Sequence, residues 1–306
     1  MLLLVLLATA LPIIGSGIYK KISKNTEDDN VTLYFHDSEE SYKLTQNDYI
    51  IGILLAQIDE NYGEETLRAA AVAMRSASLY LKGACRELCY TDADYCDCSY
   101  SLPYVKREEY IKKHGDSGEN IVSAIYRSLE DTEGKILLYK NSYALALIHK
   151  SSHITTESSF NVLGREYPYL EPVITPEKAQ LKETFILEGD LSRKLGHFFE
   201  NMDIAGIDAS PILTLNGAGR VETVNIYMQD ISADGFAKIL GLRSMCFEIE
   251  QAYGGIVIRT YGEGNGLGMS LWGAREMAEN GFSYDDILLY YFRGCKIVSE
   301  NERNTA

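Results

Sequence analysis

The sequence predicts an α+β fold: a single compact catalytic-type domain of helices and short mixed or antiparallel sheets, behind an N-terminal membrane anchor. Three observations lead there. Glu64–Leu81 places Leu67, Ala70, Ala71, Met74, Ala77 and Ser78 at helical spacing, so small residues line one face of a helix that neighbours can approach closely. Alternation of apolar and polar residues recurs at 211–216 and 221–228, joined by Gly217-Ala218-Gly219-Arg220, a hairpin signal. Strand-like and helix-like stretches are interspersed without strict strand–helix–strand alternation, which argues against a doubly wound parallel sheet.

From the N-terminus, residues 2–19 form the one strongly apolar run. Eighteen residues of helix span about 27 Å, close to the roughly 30 Å of a bilayer core. A cleaved signal peptide competes, but the run lacks a basic leader, and its small-residue site at Ala8–Ala10 would leave too short an apolar core. An uncleaved single-span anchor over 1–19 is therefore expected. Lys20, Lys21 and Lys24 follow it, which by the positive-inside rule puts the bulk of the chain in the cytoplasm. Residues 20–46 read as a polar, acidic linker with a short strand at 31–35, and the folded domain as 47–300.

Within that domain, 47–59 reads as a helix capped by Asn47, followed by the central helix at 64–81. Arg75 lies among apolar neighbours of that helix and needs a partner. A cysteine-rich segment covers 83–104, and a helix capped by Ser117 covers 117–132. Strands are expected at 135–140 and 143–150, with a turn at Asn141-Ser142. Residues 151–180 hold three prolines and little periodicity, and read as a long loop of the kind that is functional or disordered. A strand–helix pair follows over 183–199, then the hairpin, a helix at 232–240, strands at 246–250 and 255–261, helices at 270–280 and 283–292, and a final short strand.

The net charge of −15 and the absence of a basic run set nucleic acid aside as a partner. Chemistry could reside in three places. Gly262–Gly268 (GEGNGLG) alternates glycine but fits neither the dinucleotide fingerprint nor a phosphate-binding lysine loop. It serves either as a ligand platform or as a structural turn. Cys85, Cys89, Cys96 and Cys98 crowd into 14 residues, a set compatible with zinc, with disulfides, or with inert thiols. Cys246 and Cys295 read as buried and unpaired. The histidines His36, His114, His149, His153 and His197 form no metalloprotease or deaminase motif, and no nucleophile elbow occurs. His149 and His153 stand at a strand end, as pocket wall or as hydrogen-bonded loop residues.

Four stretches in this order resemble the stage II sporulation protein D family, the amidase-enhancer-like domain. They are YIIGILLAQIDENYGEETLRAAAVAMRS (49–76), ALALIHKSSHITTES with YPYLEPV (144–158 and 167–173), GRVETVNI with ILGLRSMCFEI (219–226 and 239–249), and RTYGEGNGLGMSLWGAREMAENGFSYDDILLYYF (259–292). The match runs from about residue 47 to the C-terminus. The resemblance implies a membrane-anchored, extracytoplasmic cell-wall protein of engulfment during sporulation, against the positive-inside reading. Its partners would be peptidoglycan glycan strands, a cell-wall amidase and other membrane components of engulfment. Active members resemble lytic transglycosylases that cleave peptide-stripped glycan strands. One glutamic acid donates a proton to the glycosidic oxygen and then assists attack by the sugar's own 6-hydroxyl, leaving an anhydro sugar.

That acid belongs to the family's Ala-Glu-Met-Pro signature, where this chain has Gln57. A carboxamide can hydrogen-bond a sugar but cannot cycle a proton at a useful pKa. Glu60, one helical turn on if the helix continues, is a substitute, and Asp59 another. Other departures are Asn265 for the family's histidine, Leu271 for a glutamine, Ala70 for a glutamine, and Ser152-His153-Ile154 for Ser-Gly-Gly. The candidate substrate-binding residues are Arg75, Ser151, Ser152, His153, Gly264, Asn265, Gly266 and Ser270. Some members hold zinc through histidine and cysteine in the segment that here carries Cys85, Cys89, Cys96 and Cys98; without the histidine, any zinc here would need an all-cysteine or mixed set. Two expectations follow: a glycan-binding or amidase-recruiting scaffold of weak or absent activity, or an active lytic transglycosylase using Glu60 or another acid.

Overall fold

The computed structural model describes residues 30–89, 91–98, 101–178, 180–196 and 211–300. The apolar run at 2–19 and His197 lie outside them. Among the described residues no helix is long and apolar enough to cross a membrane.

The described residues begin with two strands where the sequence suggests mostly linker. β1 (Asn30–Phe35) and β2 (Glu40–Thr45) form an antiparallel hairpin, because Val31 and Leu33 alternate inward and become buried. Three helices follow: α1 (Gln46–Leu55), α2 (Glu64–Leu81) and the short α3 (Ala84–Leu88). β3 (Tyr95–Cys96) then pairs in parallel with β1. α4 (Arg107–Asp131) is longer than the predicted 117–132 and kinks at Gly115, where φ is 58°. Next come β4 (Lys135–Tyr139), β5 (Ser142–Tyr143), β6 (Ile148–His149) and the one-turn α5 (Ser159–Leu163). β7 (Leu181–Leu187), α6 (Glu188–Gly196), β8 (Ile212–Leu215), β9 (Val221–Ile226), β10 (Gln229–Ser232), α7 (Ala233–Leu240), β11 (Phe247–Ala252) and β12 (Gly255–Tyr261) form one continuous block of sequence. The last described elements are β13 (Met269–Ser270), α8 (Leu271–Glu279), α9 (Tyr284–Tyr291) and β14 (Lys296–Ser299).

Two hydrophobic cores result. The larger surrounds α2, whose Ala69, Ala70, Ala71, Ala73 and Ala77 are fully buried, so that α1, α4, α8, α9 and β4 all pack against it. The expected small-residue face is thus the axis of this core. Arg75 is 5% exposed and donates to Leu129 O at 3.3 Å, Thr132 O at 2.8 Å and Lys135 O at 3.0 Å. These carbonyls lie at and beyond the C-terminal end of α4, where a cation meets the negative pole of the helix. Burial lowers the pKa of Arg75 to about 10. The smaller core gathers Ile186, Leu191, Val224, Ile226, Phe236, Phe247, Ile256 and Ile258 between two three-stranded sheets, β10-β9-β8 and β11-β12-β7, and helices α6 and α7. The architecture is α+β, as predicted, with the helical half and the sheet-rich half each holding its own core.

Two local differences from the sequence reading bear on the site. α1 is capped by Thr45, whose Oγ1 accepts the Asp48 N–H at 3.0 Å, and ends at Leu55 with Ala56 as its C-cap. Gln57 therefore sits in the turn after the helix, not on it. The expected strand at 143–150 is divided, because Tyr143 belongs to β5 and pairs with β4, Ile148 and His149 pair with β13, and the residues between them make isolated contacts.

Candidate functional site

A cleft of about 1100 Å³ opens between the end of α1, the α2–α3 corner, α4 and the loops that follow β5 and β12. Its lining includes Gln57, Asp59, Tyr80, Glu109, Tyr110, His114, Leu147, His149, Lys150, Arg165, Tyr167, Glu263, Gly264 and Asn265. Gln57 and Asn265, more than two hundred residues apart in sequence, face one space. The turn that carries Gln57 is fixed from α4, where the Tyr110 hydroxyl donates to Ile58 O at 2.7 Å. Among the described residues the Gln57 carboxamide makes no hydrogen bond.

The opposite wall is the glycine run, and the structure explains its spacing. Gly262, Gly264, Gly266 and Gly268 all have positive φ, from 72° to 102°. Each also presses bare backbone on a neighbour: a Cβ would stand 2.6 Å from Ser151 O at Gly262, 2.2 Å from Arg220 Nη2 at Gly266, and 2.1 Å from Leu147 O at Gly268. Glycine is required on both counts. Asn265 Oδ1 accepts the Leu267 N–H at 3.0 Å, which locks the side chain in the turn.

Behind this wall lies a buried polar network. His149 is fully enclosed, with Nδ1 3.1 Å from Leu267 O and Nε2 2.6 Å from Ser152 Oγ. Burial, then the charge of Arg220, lowers its pKa to about 3, so the ring is neutral. Glu177 Oε1 accepts the Ser152 N–H and the Ser270 hydroxyl, both at 2.7 Å, and burial raises its pKa. Arg220, 3% exposed at the start of β9, reaches from the smaller core to 3.8 Å from Glu157 Oε2. Glu157 also accepts the Asn216 amide at 2.8 Å and donates its own N–H to Gly266 O at 2.8 Å. The turn between β8 and β9 is thereby clamped onto the loop that supports the glycine run.

The predicted site residues separate into groups. Gln57, Gly264 and Asn265 meet in the cleft. Gly266 lies over Arg220. Ser151, Ser152 and Ser270 are buried in the network rather than presented to solvent, and Ser270 caps α8 by accepting the Gly273 N–H at 3.1 Å. His153 stacks on Tyr261 at 4.5 Å, outside the cleft lining. Arg75 does not reach the cleft, because its three carbonyl partners hold it inside the larger core. Glu60 points elsewhere and pairs with Arg275 at 3.6 Å, since α1 stops before it and the one-turn relation to Gln57 is lost. Asp59 does line the cleft, held by Lys150 Nζ at 2.6 Å, and Lys150 also faces Glu263 at 3.5 Å. Sequence reasoning missed Arg220, Glu157, Glu177 and Lys150. An arginine ending a hairpin turn reads as solvated, and only its place beside the glycine run reveals otherwise.

The four clustered cysteines converge behind the cleft wall. Their sulfurs all lie within 4.8 Å of one another, with Cys98 Sγ 2.8 Å from both Cys89 and Cys96. Tetrahedral zinc with Zn–S near 2.3 Å sets sulfurs roughly 3.8 Å apart, so the donor set fits one ion when all four thiols are reduced. Cys85 and Cys96 also form a disulfide pair, with Cα atoms 6.1 Å apart, which leaves Cys89 and Cys98 as thiols. Cys246 and Cys295 are buried and free, as expected.

A family model described as stage II sporulation protein matches residues 34–139. The stage II sporulation protein D of Bacillus amyloliquefaciens is 29% identical over 276 residues, covering 88% of this chain and 78% of that protein. That of Bacillus subtilis (strain 168) is 27% identical over 275 residues, with the same two coverages. An uncharacterized protein of Brachyspira hyodysenteriae is 28% identical over 274 residues, covering 86% of this chain and 69% of its own length.

Proposed function

From a chain that belongs to the stage II sporulation protein D family, we infer a sporulation protein that binds peptidoglycan glycan strands in the cleft described above. It acts there as a scaffold that holds peptide-stripped strands and recruits a cell-wall amidase, with weak or no cleavage of its own. One observation carries this reading: Gln57, where the resemblance puts the family's acid, lines the cleft, while Glu60 is turned away onto Arg275. A carboxamide leaves hydrogen bonding to a sugar intact and removes proton transfer, which is worth about 10²–10⁴ in rate. The protein works outside the cytoplasm, anchored through residues 1–19.

Asp59, Glu109 and Glu263 line the same cleft and keep a second reading open, an active lytic transglycosylase with a relocated acid. Asp59 and Glu263 are both engaged by Lys150, which favours the scaffold. With the Cys85–Cys96 disulfide reduced, the cysteine set is a structural zinc site in this proposal: Cys85, Cys89, Cys96 and Cys98 would hold the ion, which would fasten α3 to β3 behind the cleft.

The test is digestion of purified peptide-stripped glycan strands with the full chain in mild detergent, read by mass spectrometry for anhydro-ended products. The wild type is expected to be silent and Gln57→Glu to gain activity by at least 10²-fold. Anhydro products from the wild type at rates typical of an acid-catalysed enzyme would sink the scaffold reading. Their loss in Asp59→Asn, Glu109→Gln or Glu263→Gln would then identify the acid.

A further inference from the structure

One end of the cleft is built to present a cation. α5 is capped by Ser158, whose hydroxyl accepts the Asn161 N–H at 3.2 Å, and is closed by Gly164 at φ 66°. The chain leaving it is pinned where the Tyr167 N–H donates to Ser159 Oγ at 2.8 Å and the Leu170 N–H to Tyr167 O at 2.8 Å. This frame brings Leu163, Arg165 and Tyr167 to the cleft opposite Tyr80. The hydroxyls of Tyr167 and Tyr80 are 3.1 Å apart, and their rings meet edge to face. The Arg165 guanidinium lies 5.4 Å over the Tyr167 ring. Stacking on a ring fixes the plane of a guanidinium and leaves its N–H fork free at the edge.

The other cations of the cleft are differently placed. Lys150 is held between Asp59 and Glu263. Lys113 shares a face of α4 with Glu109, four residues before it. Among the described residues no carboxylate pairs with Arg165.

We infer that Arg165 is a specificity-determining residue that receives a carboxylate carried by the bound sugar strand. This rests on the glycan reading above, and it names the group recognised: the free lactyl carboxylate of an N-acetylmuramic acid whose peptide has been removed. While the peptide is attached, that carboxyl is an amide and carries no charge. Its release creates one anion per disaccharide, and a planar fork of two N–H donors matches a carboxylate in shape and charge. The tyrosine pair beside it offers apolar surface for the adjoining pyranose ring. Arg165 would thus let the cleft distinguish stripped strands from peptide-bearing ones without any contact to the peptide.

The experiment is calorimetric titration of the full chain in mild detergent with four oligosaccharides of equal length. These are a glycan with free lactyl carboxylates, the same glycan with those groups converted to methyl amides, a hyaluronan oligomer with its carboxylates on the ring, and a chitin oligomer. The wild type is expected to bind the lactyl carboxylate form about tenfold more tightly than its amide, with the preference shrinking as salt rises. Arg165→Gln should bring that ratio to about one, and Arg165→Lys, which keeps the charge but not the fork, should retain part of it. Tighter binding of the lactyl glycan than of hyaluronan supports the assigned source, and the reverse order overturns it. A preference that survives Arg165→Gln, or wild-type binding of glycan and amide alike, overturns this inference alone. Failure to bind any of the N-acetylated oligosaccharides brings down the glycan reading and this inference with it.

Discussion

Gly266→Ala is the substitution whose cost the structure specifies most completely. The residue has φ +80°, so any L side chain there carries a left-handed penalty of roughly 1–2 kcal/mol. A Cβ would also stand 2.2 Å from Nη2, 2.4 Å from Cζ and 2.9 Å from Nε of Arg220. Neither side can yield cheaply. The Gly266 carbonyl is held by the Glu157 N–H, and Arg220 is enclosed at 3% exposure against Glu157 and Ser152. Moving the guanidinium separates a buried ion pair, which costs about 3–5 kcal/mol. The sum is about 4–7 kcal/mol, a large part of the stability of an ordinary domain. Gly241→Ala is the control, because Gly241 has φ +69° with nothing within 4 Å of its added Cβ and should lose only the roughly 1–2 kcal/mol of the backbone term. Urea unfolding of the full chain measures both. In an Arg220→Ala background Gly266→Ala should then cost no more than Gly241→Ala, since the clash has been removed. Equal losses for the two glycine variants in the wild-type background would falsify the clamp.

Other outcomes follow from the same physical accounting. Arg75→Met should destabilise by about 2–4 kcal/mol, because three carbonyls at the end of α4 lose a charged donor; a melting point within 1–2 degrees of wild type would contradict this. The pKa of His149 is lowered by folding, so the unfolded chain takes up the proton first. Stability is full above about pH 6.5 and falls as the pH drops toward about 3, with a slope approaching 1.4 kcal/mol per pH unit. Urea midpoints between pH 6.5 and 5 read this, and the slope should become shallower in His149→Gln, with the remainder coming from His153, whose pKa burial also lowers. Protein purified without added metal should contain about one zinc per chain by elemental analysis, reduced in Cys98→Ser; a Cys85–Cys96 disulfide with no metal would favour the disulfide set instead.

How much of this was legible depended on whether the determining contacts were local. The α2 helix and the β8–β9 hairpin were readable because periodicity and turn residues are properties of adjacent positions. The end of α1 was not. Ile58 prolongs the apolar pattern past Leu55, and the chain leaves the helix where Tyr110 takes the Ile58 carbonyl and Tyr104 packs on Gly52, contacts across some fifty residues. That misplacement carried Glu60 into the candidate site and the structure takes it out. The β1–β2 hairpin was read mostly as linker because its polar outer face outweighs the two buried residues, Val31 and Leu33. The glycine run was recognised as unusual, yet its partners, Arg220 from the smaller core and the 147–152 backbone from the larger, are brought together only by tertiary packing.

The placement of strain bears on the choice between scaffold and enzyme. Four alternating glycines of positive φ, an enclosed guanidinium and buried carboxyls at Glu157 and Glu177 all lower stability relative to an apolar core of the same shape. They are concentrated behind one cleft wall, the wall that carries Gly264 and Asn265 opposite Gln57. Had the cleft no ligand, nothing in the physics of this fold would require that costly wall, and a simple apolar packing of the two cores would serve. Strain gathered around a cleft that carries the Gln57 carboxamide points to a cleft that binds a ligand. Glycan affinity is therefore the property to measure before cleavage, and Asn265→Ala, which removes the turn-locked side chain while sparing the buried network, should weaken it in the wild type and in Gln57→Glu alike. Unchanged affinity in both would place the ligand elsewhere.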